Sequence, residues 1–125
     1  MSSISRIFET RKQQSYRMED FVHLHVHTHY SILDGQSKVS YLVDKAVNNG
    51  MKGMAITDHG VMFGIKEFYN YCNKVNGKRK EEGLPPFKPI LGCEMYVARN
   101  KKESKIKENG DMGGKHLIVL AKNLQ

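Results

Sequence analysis

FVHLHVHTHYSILDG, Phe21 to Gly35, decides how the rest of this 125-residue chain is read. In an extended strand successive side chains point to opposite faces, so His23, His25, His27 and His29 share one face while Val22, Leu24 and Val26 share the other. One face is apolar and the other is imidazole. Alternate strand positions lie about 7 Å apart, which lets neighbouring imidazoles reach one metal ion, or two ions about 3.5–4 Å apart. A lone histidine in a strand is ordinarily a satisfied or solvated side chain. Four of the chain's six histidines within seven positions point instead to a metal site. Not all four need be ligands, and Asp34, just before Gly35, is a carboxylate that the turn after the strand would deliver.

Working outward, Ser37 fits a helix N-cap, and Val39, Leu42, Val43, Ala46 and Val47 follow the i, i+3, i+4, i+7, i+8 spacing of a buried helical stripe. Asn49 and Gly50 close that helix. Met54-Ala55-Ile56-Thr57 is a short apolar run ending in Asp58-His59-Gly60, the format of a buried parallel strand that delivers polar groups at its carboxyl end. A second helix is predicted on the stripe Val61, Ile65, Phe68, Tyr69, Cys72 and Val75. From Asn76 to Pro86 the polar composition, with Gly77, Gly83, Pro85 and Pro86, predicts a loop. Pro89 to Val97 reads as a third strand carrying Glu94, residues 99–115 as an exposed loop or hairpin, and His116 to Leu120 as a fourth strand. On the other side, residues 1–17 show no sustained periodicity and read as a disordered extension, with Met18 standing like a second start.

Strand, helix, strand, helix, strand, strand is the order of a parallel α/β layer or barrel, in which chemistry gathers at the carboxyl ends of the strands. The length allows one ordinary domain. With 39% hydrophobic residues, 26% charged residues and no long apolar run, the chain excludes a membrane span, and residues 1–20 lack the apolar core of a secretory signal. Cys72 and Cys93 have no neighbouring cysteine, which argues against a disulfide scaffold or zinc ribbon and for a reducing, cytoplasmic setting. The net charge of +7 is uneven: +3 in residues 1–17, −2 in residues 18–73 and +5 in residues 74–108. Those basic segments fit a polyanion such as nucleic acid and fit a solvated loop surface equally well.

His25, His27, Asp34, His59, Glu94 and His116 together form a set of imidazole and carboxylate ligands spread over four strands and their loops. Such a set suits Zn²⁺ or Mn²⁺, and its size points to more than one ion. Later members have an ordinary reading too: His59, with Asp58, as a cap of the next helix, Glu94 as the partner of a lysine, His116 as an isolated histidine.

Four stretches, HLHVHTHYSILDG (His23 to Gly35), AITDHGVMFGIKEFY (Ala55 to Tyr69), KPILGCEMYVA (Lys88 to Ala98) and HLIVLAKN (His116 to Asn123), resemble the PHP (polymerase and histidinol phosphatase) domain family. The YSILDG turn and the GVMFGIKEFY helix resemble the form of that domain at the front of bacterial DNA polymerase III alpha subunits. The resemblance implies a distorted, TIM-like (β/α) barrel with a multinuclear metal centre of two or three Zn²⁺ or Mn²⁺ ions at its carboxyl-end face. It matches His25 and His27 to the paired histidines of the first motif, Asp34 to the acidic ligand after them, and His59 to the histidine of the second motif. Glu94 matches the bridging-type carboxylate and His116 the histidine that opens the third motif, while His23 and His29 fall at positions the pattern does not require.

The same resemblance makes residues 18–125 the N-terminal portion of such a domain, stopping after the fourth strand, with the remaining ligands and the polymerase's catalytic aspartates further along a larger protein. It implies DNA replication by a parent DNA-directed DNA polymerase that uses Mg²⁺, DNA, deoxynucleotides and other replisome subunits. The domain itself would be a metal-dependent 3′→5′ exonuclease or a structural module, and the fragment alone is expected to be inactive. The competing reading is a stand-alone PHP phosphoesterase acting on a small phosphate ester such as histidinol phosphate.

Overall fold

Val39 and Val43 are fully buried, and Ala46 nearly so, along one face of helix α1 (Val39–Asn48), with Leu42 and Val47 packed beside them. This is the stripe the spacing predicts, in a computed structural model that describes residues 21–98 and 114–123. Val39 and Val43 each contribute about 1.5–3 kcal/mol by this burial. The helix ends at Asn49 and turns at Gly50, whose φ of +77° is the left-handed conformation that glycine adopts without strain. Its N-cap is Lys38 rather than Ser37. The Ser37 carbonyl instead accepts the His29 N–H at 3.0 Å, clipping together the two ends of the intervening turn.

Strand β1 (Gly53–Ile56) is buried at every position, as expected of an apolar run covered on both faces. Helix α2 (Ile65–Glu81) sends Phe68 and Cys72 into the core that Val39, Val43, Ala46, Met54, Ile56 and Phe87 also build. Two details of the predicted stripe change. Val61 precedes the helix, and Tyr69 is exposed while Tyr71 is the tyrosine packed on the core. The loop expected from Asn76 to Pro86 is helical as far as Glu81. Gly77 costs about 1 kcal/mol in a helix interior, but Lys78, Arg79 and Lys80 form helix well and their charge suits a helix C-terminus. Asn76 also finds partners within the fold, donating to the Phe87 carbonyl at 2.8 Å and accepting the Phe87 N–H at 2.7 Å.

The sheet has the order β1-β2-β3, with β2 at Lys88–Val97 and β3 at Lys115–Leu120. The first four residues of β2 pair in parallel with β1, from Gly53 opposite Lys88 to Ile56 opposite Leu91. Its remaining six pair antiparallel with β3, from Gly92 opposite Leu120 to Val97 opposite Lys115. The α/β class is as expected, whereas the uniformly parallel arrangement is not. A parallel return needs a crossover, usually a helix with an apolar stripe to bury. Residues 98–114 offer no such stripe, and the chain comes back beside the strand it has just left.

Phe21 to Thr28 is not a ladder strand, with a bend at Leu24, and His29 and Tyr30 already belong to a turn, which corrects the first expectation. Ala55 N–H donates to the His23 carbonyl and Thr57 N–H to the Val26 carbonyl, so a step of two residues from β1 into the residue after it matches a step of three in this segment. An extra residue of this kind breaks strict alternation. The four histidines therefore do not form a single row. Among the described residues the strands make a three-stranded sheet and not a closed barrel. The extension expected at residues 1–17 lies outside the described residues, as does nearly all of the loop at 99–115.

Candidate metal centre

The carboxyl end of β1 is where the polar groups collect. Asp58, two residues past the strand and 2% exposed, accepts hydrogen bonds on Oδ1 from the Thr28 N–H at 2.7 Å, the Thr28 hydroxyl at 2.9 Å and the Ser31 hydroxyl at 2.7 Å. Ser31 in turn accepts the His59 N–H at 3.0 Å. Asp58 thus locks the Thr28–Ser31 loop onto β1 and does not cap α2, whose N-cap is Gly64.

Beyond Ser31 the chain turns sharply. Asp34 and Gly35 both donate to the Ser31 carbonyl, at 2.9 and 2.8 Å, and Leu33 takes a φ of +69° that costs a non-glycine residue about 1–2 kcal/mol. A side chain at Gly35 would place its Cβ 2.3 Å from the Thr28 carbonyl oxygen, so the turn accepts only glycine there. The result is Asp34 Oδ2 at 3.0 Å from His27 Nδ1 and 3.4 Å from His59 Nδ1.

Strand β2 supplies the centre of the cluster. The backbone of Glu94 bridges to Asp58 and Gly60, which fixes its carboxylate under the histidines. Glu94 Oε2 lies 2.6 Å from His27 Nε2 and 3.0 Å from His59 Nδ1, and Oε1 lies 2.6 Å from His116 Nδ1. Donor atoms of His27, Asp34, His59 and Glu94 all fall within 4.8 Å of one another. Burial pushes the Glu94 carboxyl up, but the neighbouring His59 and His27 rings and the charge of His116 outweigh it, leaving the group below the ordinary carboxylate value.

Of the six residues expected as ligands, four converge directly, and His116 joins through Glu94 with its ring 4.9 Å from that of His59. His25 stands next to His27, ring to ring at 4.9 Å, but its Nδ1 is engaged by the Thr57 hydroxyl at 2.7 Å. His23 packs edge-on against Phe21, and His29 lies against Tyr30.

A cation fits this set on the evidence of one atom. His27 Nε2 is buried and has no hydrogen-bond partner, since its close approach to Glu94 Oε2 lacks hydrogen-bond alignment. A buried imidazole nitrogen facing a carboxylate without a proper bond is costly as it stands and satisfied by a shared cation. Asp34, His59 and His116 keep 52%, 31% and 48% of their side-chain surface against 6% for Glu94, so the cluster is closed beneath and open above. Solvent reaches it from that side.

One member escaped the sequence reading. The Tyr96 hydroxyl is hydrogen-bonded to His59 Nε2, and its ring lies edge-on to both His59 and His116. The signal was the strand period: Tyr96 is two residues past Glu94, hence on the same face, and opposite His116 in the ladder.

Comparison with known proteins gives the family. The model of the PHP domain matches residues 23–125. The DNA polymerase III subunit alpha of Borreliella burgdorferi is 42% identical over 105 residues, 82% of this chain and 8% of that protein. The same subunit of Treponema pallidum is 44% identical over 103 residues, again 82% of this chain and 8% of that protein. That of Aquifex aeolicus is 40% identical over 110 residues, 84% of this chain and 9% of that protein. The chain spans less than a tenth of the length of these curated relatives.

Proposed function

The chain belongs to the PHP domain family, and on that premise we propose that residues 18–125 form the front of the PHP domain of a replicative DNA polymerase III alpha subunit, with a metal-dependent 3′→5′ exonuclease site. The reading is carried by one observation, the convergence of His27, Asp34, His59 and Glu94 donor atoms within 4.8 Å. We assign the ligand set as His25, His27, Asp34, His59, Glu94 and His116, with Zn²⁺ or Mn²⁺ as the ion, two or three in a complete (β/α) barrel. When bound, divalent cations acidify water and offset charge developing on phosphoester oxygens.

The chain's own residues prepare the site for that chemistry. Asp58 holds the Thr28–Ser31 loop so that Asp34 returns over His27, and buried Glu94 supplies a negative centre that His27, His59 and His116 share. The open face formed by Asp34, His59 and His116 is where a DNA 3′ end would approach. Nucleotide transfer, with its Mg²⁺, DNA, deoxynucleotides, replisome partners and cytoplasmic location, belongs in this proposal to the parent polymerase. No helix among the described residues is long and apolar enough to cross a membrane.

The test is elemental analysis of the intact protein together with hydrolysis of a 3′-labelled primer in Mn²⁺ or Zn²⁺. Bound metal and mononucleotide release, both lost in Glu94→Gln, are expected. Release of phosphate from histidinol phosphate but no primer cleavage would favour the stand-alone phosphoesterase. Bound metal with neither activity would make the centre structural, and absence of metal would overturn it.

A further inference from the structure

We propose that Tyr96 is a positioning residue of the metal centre: its hydroxyl holds His59 so that Nδ1, and not Nε2, is the nitrogen offered to the ion. The inference rests on the reading of the cluster as a metal centre. Histidine more often has both ring nitrogens available to choose from, and the hydrogen bond made by one sets the role of the other. Here Nε2 is taken by the Tyr96 hydroxyl, and Nδ1 faces Glu94 Oε2 at 3.0 Å and Asp34 Oδ2 at 3.4 Å. In this structure Nδ1 hydrogen-bonds the Glu94 carboxylate; with an ion in its place, Nε2 would carry the proton and donate to the Tyr96 oxygen, leaving the Nδ1 lone pair for the ion.

Two independent features hold Tyr96 in that place. The first is the ladder, which sets Tyr96 opposite His116, so that its ring packs at 5.2 Å from the His116 ring and 5.1 Å from the His59 ring. The second is Gly60, directly after His59. Its φ of +66° suits glycine, and a Cβ there would lie 2.6 Å from Tyr96 Cε2. The space above Gly60 is therefore filled by the tyrosine ring, and any larger residue must push the ring off its histidine. Tyr96 nevertheless stays 48% exposed, more than a tyrosine retained for core packing alone would be.

The experiment uses the intact protein and four forms: wild type, Tyr96→Phe, Tyr96→Ala and Gly60→Ala. Zn²⁺ affinity is measured by competition with a chromogenic chelator, the Co²⁺ absorption spectrum is recorded, and the thermal midpoint is taken in excess chelator. Tyr96→Phe should bind Zn²⁺ about 10–100-fold more weakly and change the Co²⁺ spectrum while its metal-free midpoint stays at the wild-type value. Gly60→Ala should weaken Zn²⁺ binding in the same direction. Wild-type affinity within twofold and an unchanged spectrum in Tyr96→Phe overturn the assignment. So does a metal-free midpoint that falls as far in Tyr96→Phe as in Tyr96→Ala, because the role would then be structural. A wild type that binds no ion overturns the metal centre itself, an outcome read from the wild-type arm alone.

Discussion

Asp58 accepts Thr28 twice, from its backbone N–H at 2.7 Å and from its hydroxyl at 2.9 Å, and this pair couples the histidine segment to β1. Neither residue is in the donor cluster, yet the position of Asp34 depends on them. Asp58→Ala leaves the Thr28 N–H and the Thr28 and Ser31 hydroxyls without their acceptor in a buried place. A loss of about 2–4 kcal/mol in denaturant unfolding is expected, with weaker metal binding. Asp58→Asn should lose less, because one acceptor oxygen remains. Unfolding of Asp58→Ala at the wild-type denaturant midpoint would refute the anchoring role.

His27→Ala should remove bound metal from the intact protein, whereas His29→Ala should leave metal content unchanged. The first ring contacts both Asp34 and Glu94, and the second is exposed against Tyr30. His25→Ala should fall between them, since the Thr57 hydroxyl holds one of its nitrogens. Elemental analysis of the three purified variants decides this. Equal depletion by His29→Ala and His27→Ala would show that the histidines are in a different register.

Glu94 should make the metal-free protein acid-sensitive. Its carboxyl lies below the ordinary value when folded, so the unfolded chain binds the proton more readily as pH falls, and the folded state loses stability. That stabilisation is fully present above the ordinary carboxylate range and disappears as pH falls through the depressed Glu94 value. In chelator, wild-type stability should therefore drop more steeply than that of Glu94→Gln from about pH 5 to about pH 3. Parallel curves for the two proteins would remove Glu94 as the cause.

Cys72 should be chemically silent in the folded protein. Burial pushes its thiol up to about 12, and the thiolate is the reactive form. Alkylation at pH 8 followed by peptide mass spectrometry should find Cys72 unmodified in native protein and fully modified after denaturation. Cys93 should also react slowly, because burial, then Asp58 and Glu94, raise its thiol. Native labelling of Cys72 as fast as denatured labelling would contradict the core position described for α2.

Periodicity made α1 legible: Val39, Leu42, Val43, Ala46 and Val47 face the core as their spacing requires. It also made β1 legible, with the Asp58-His59-Gly60 cluster at its carboxyl end. The same local pattern misjudged the end of α2, where Gly77 looked like a breaker. Partners 11 residues away, between Asn76 and Phe87, lie outside any local window. Ser37 had the chemistry of a cap but not the place, because its backbone was already engaged by His29.

The amino-acid sequence by itself determined the chemical inventory and its order: imidazoles at Phe21–Gly35, a buried strand followed by Asp58 and His59, and single acidic and imidazole residues at Glu94 and His116. These follow from residue type and short-range period. Tertiary structure alone decided the direction of β3, the extra residue that breaks the histidine row, the anchoring role of Asp58 and the bond from Tyr96 to His59. Each of those joins positions 27 or more residues apart or turns on which strand lies beside which. Such pairings are set by the packing of the whole sheet against its helices, which no residue's local preference encodes.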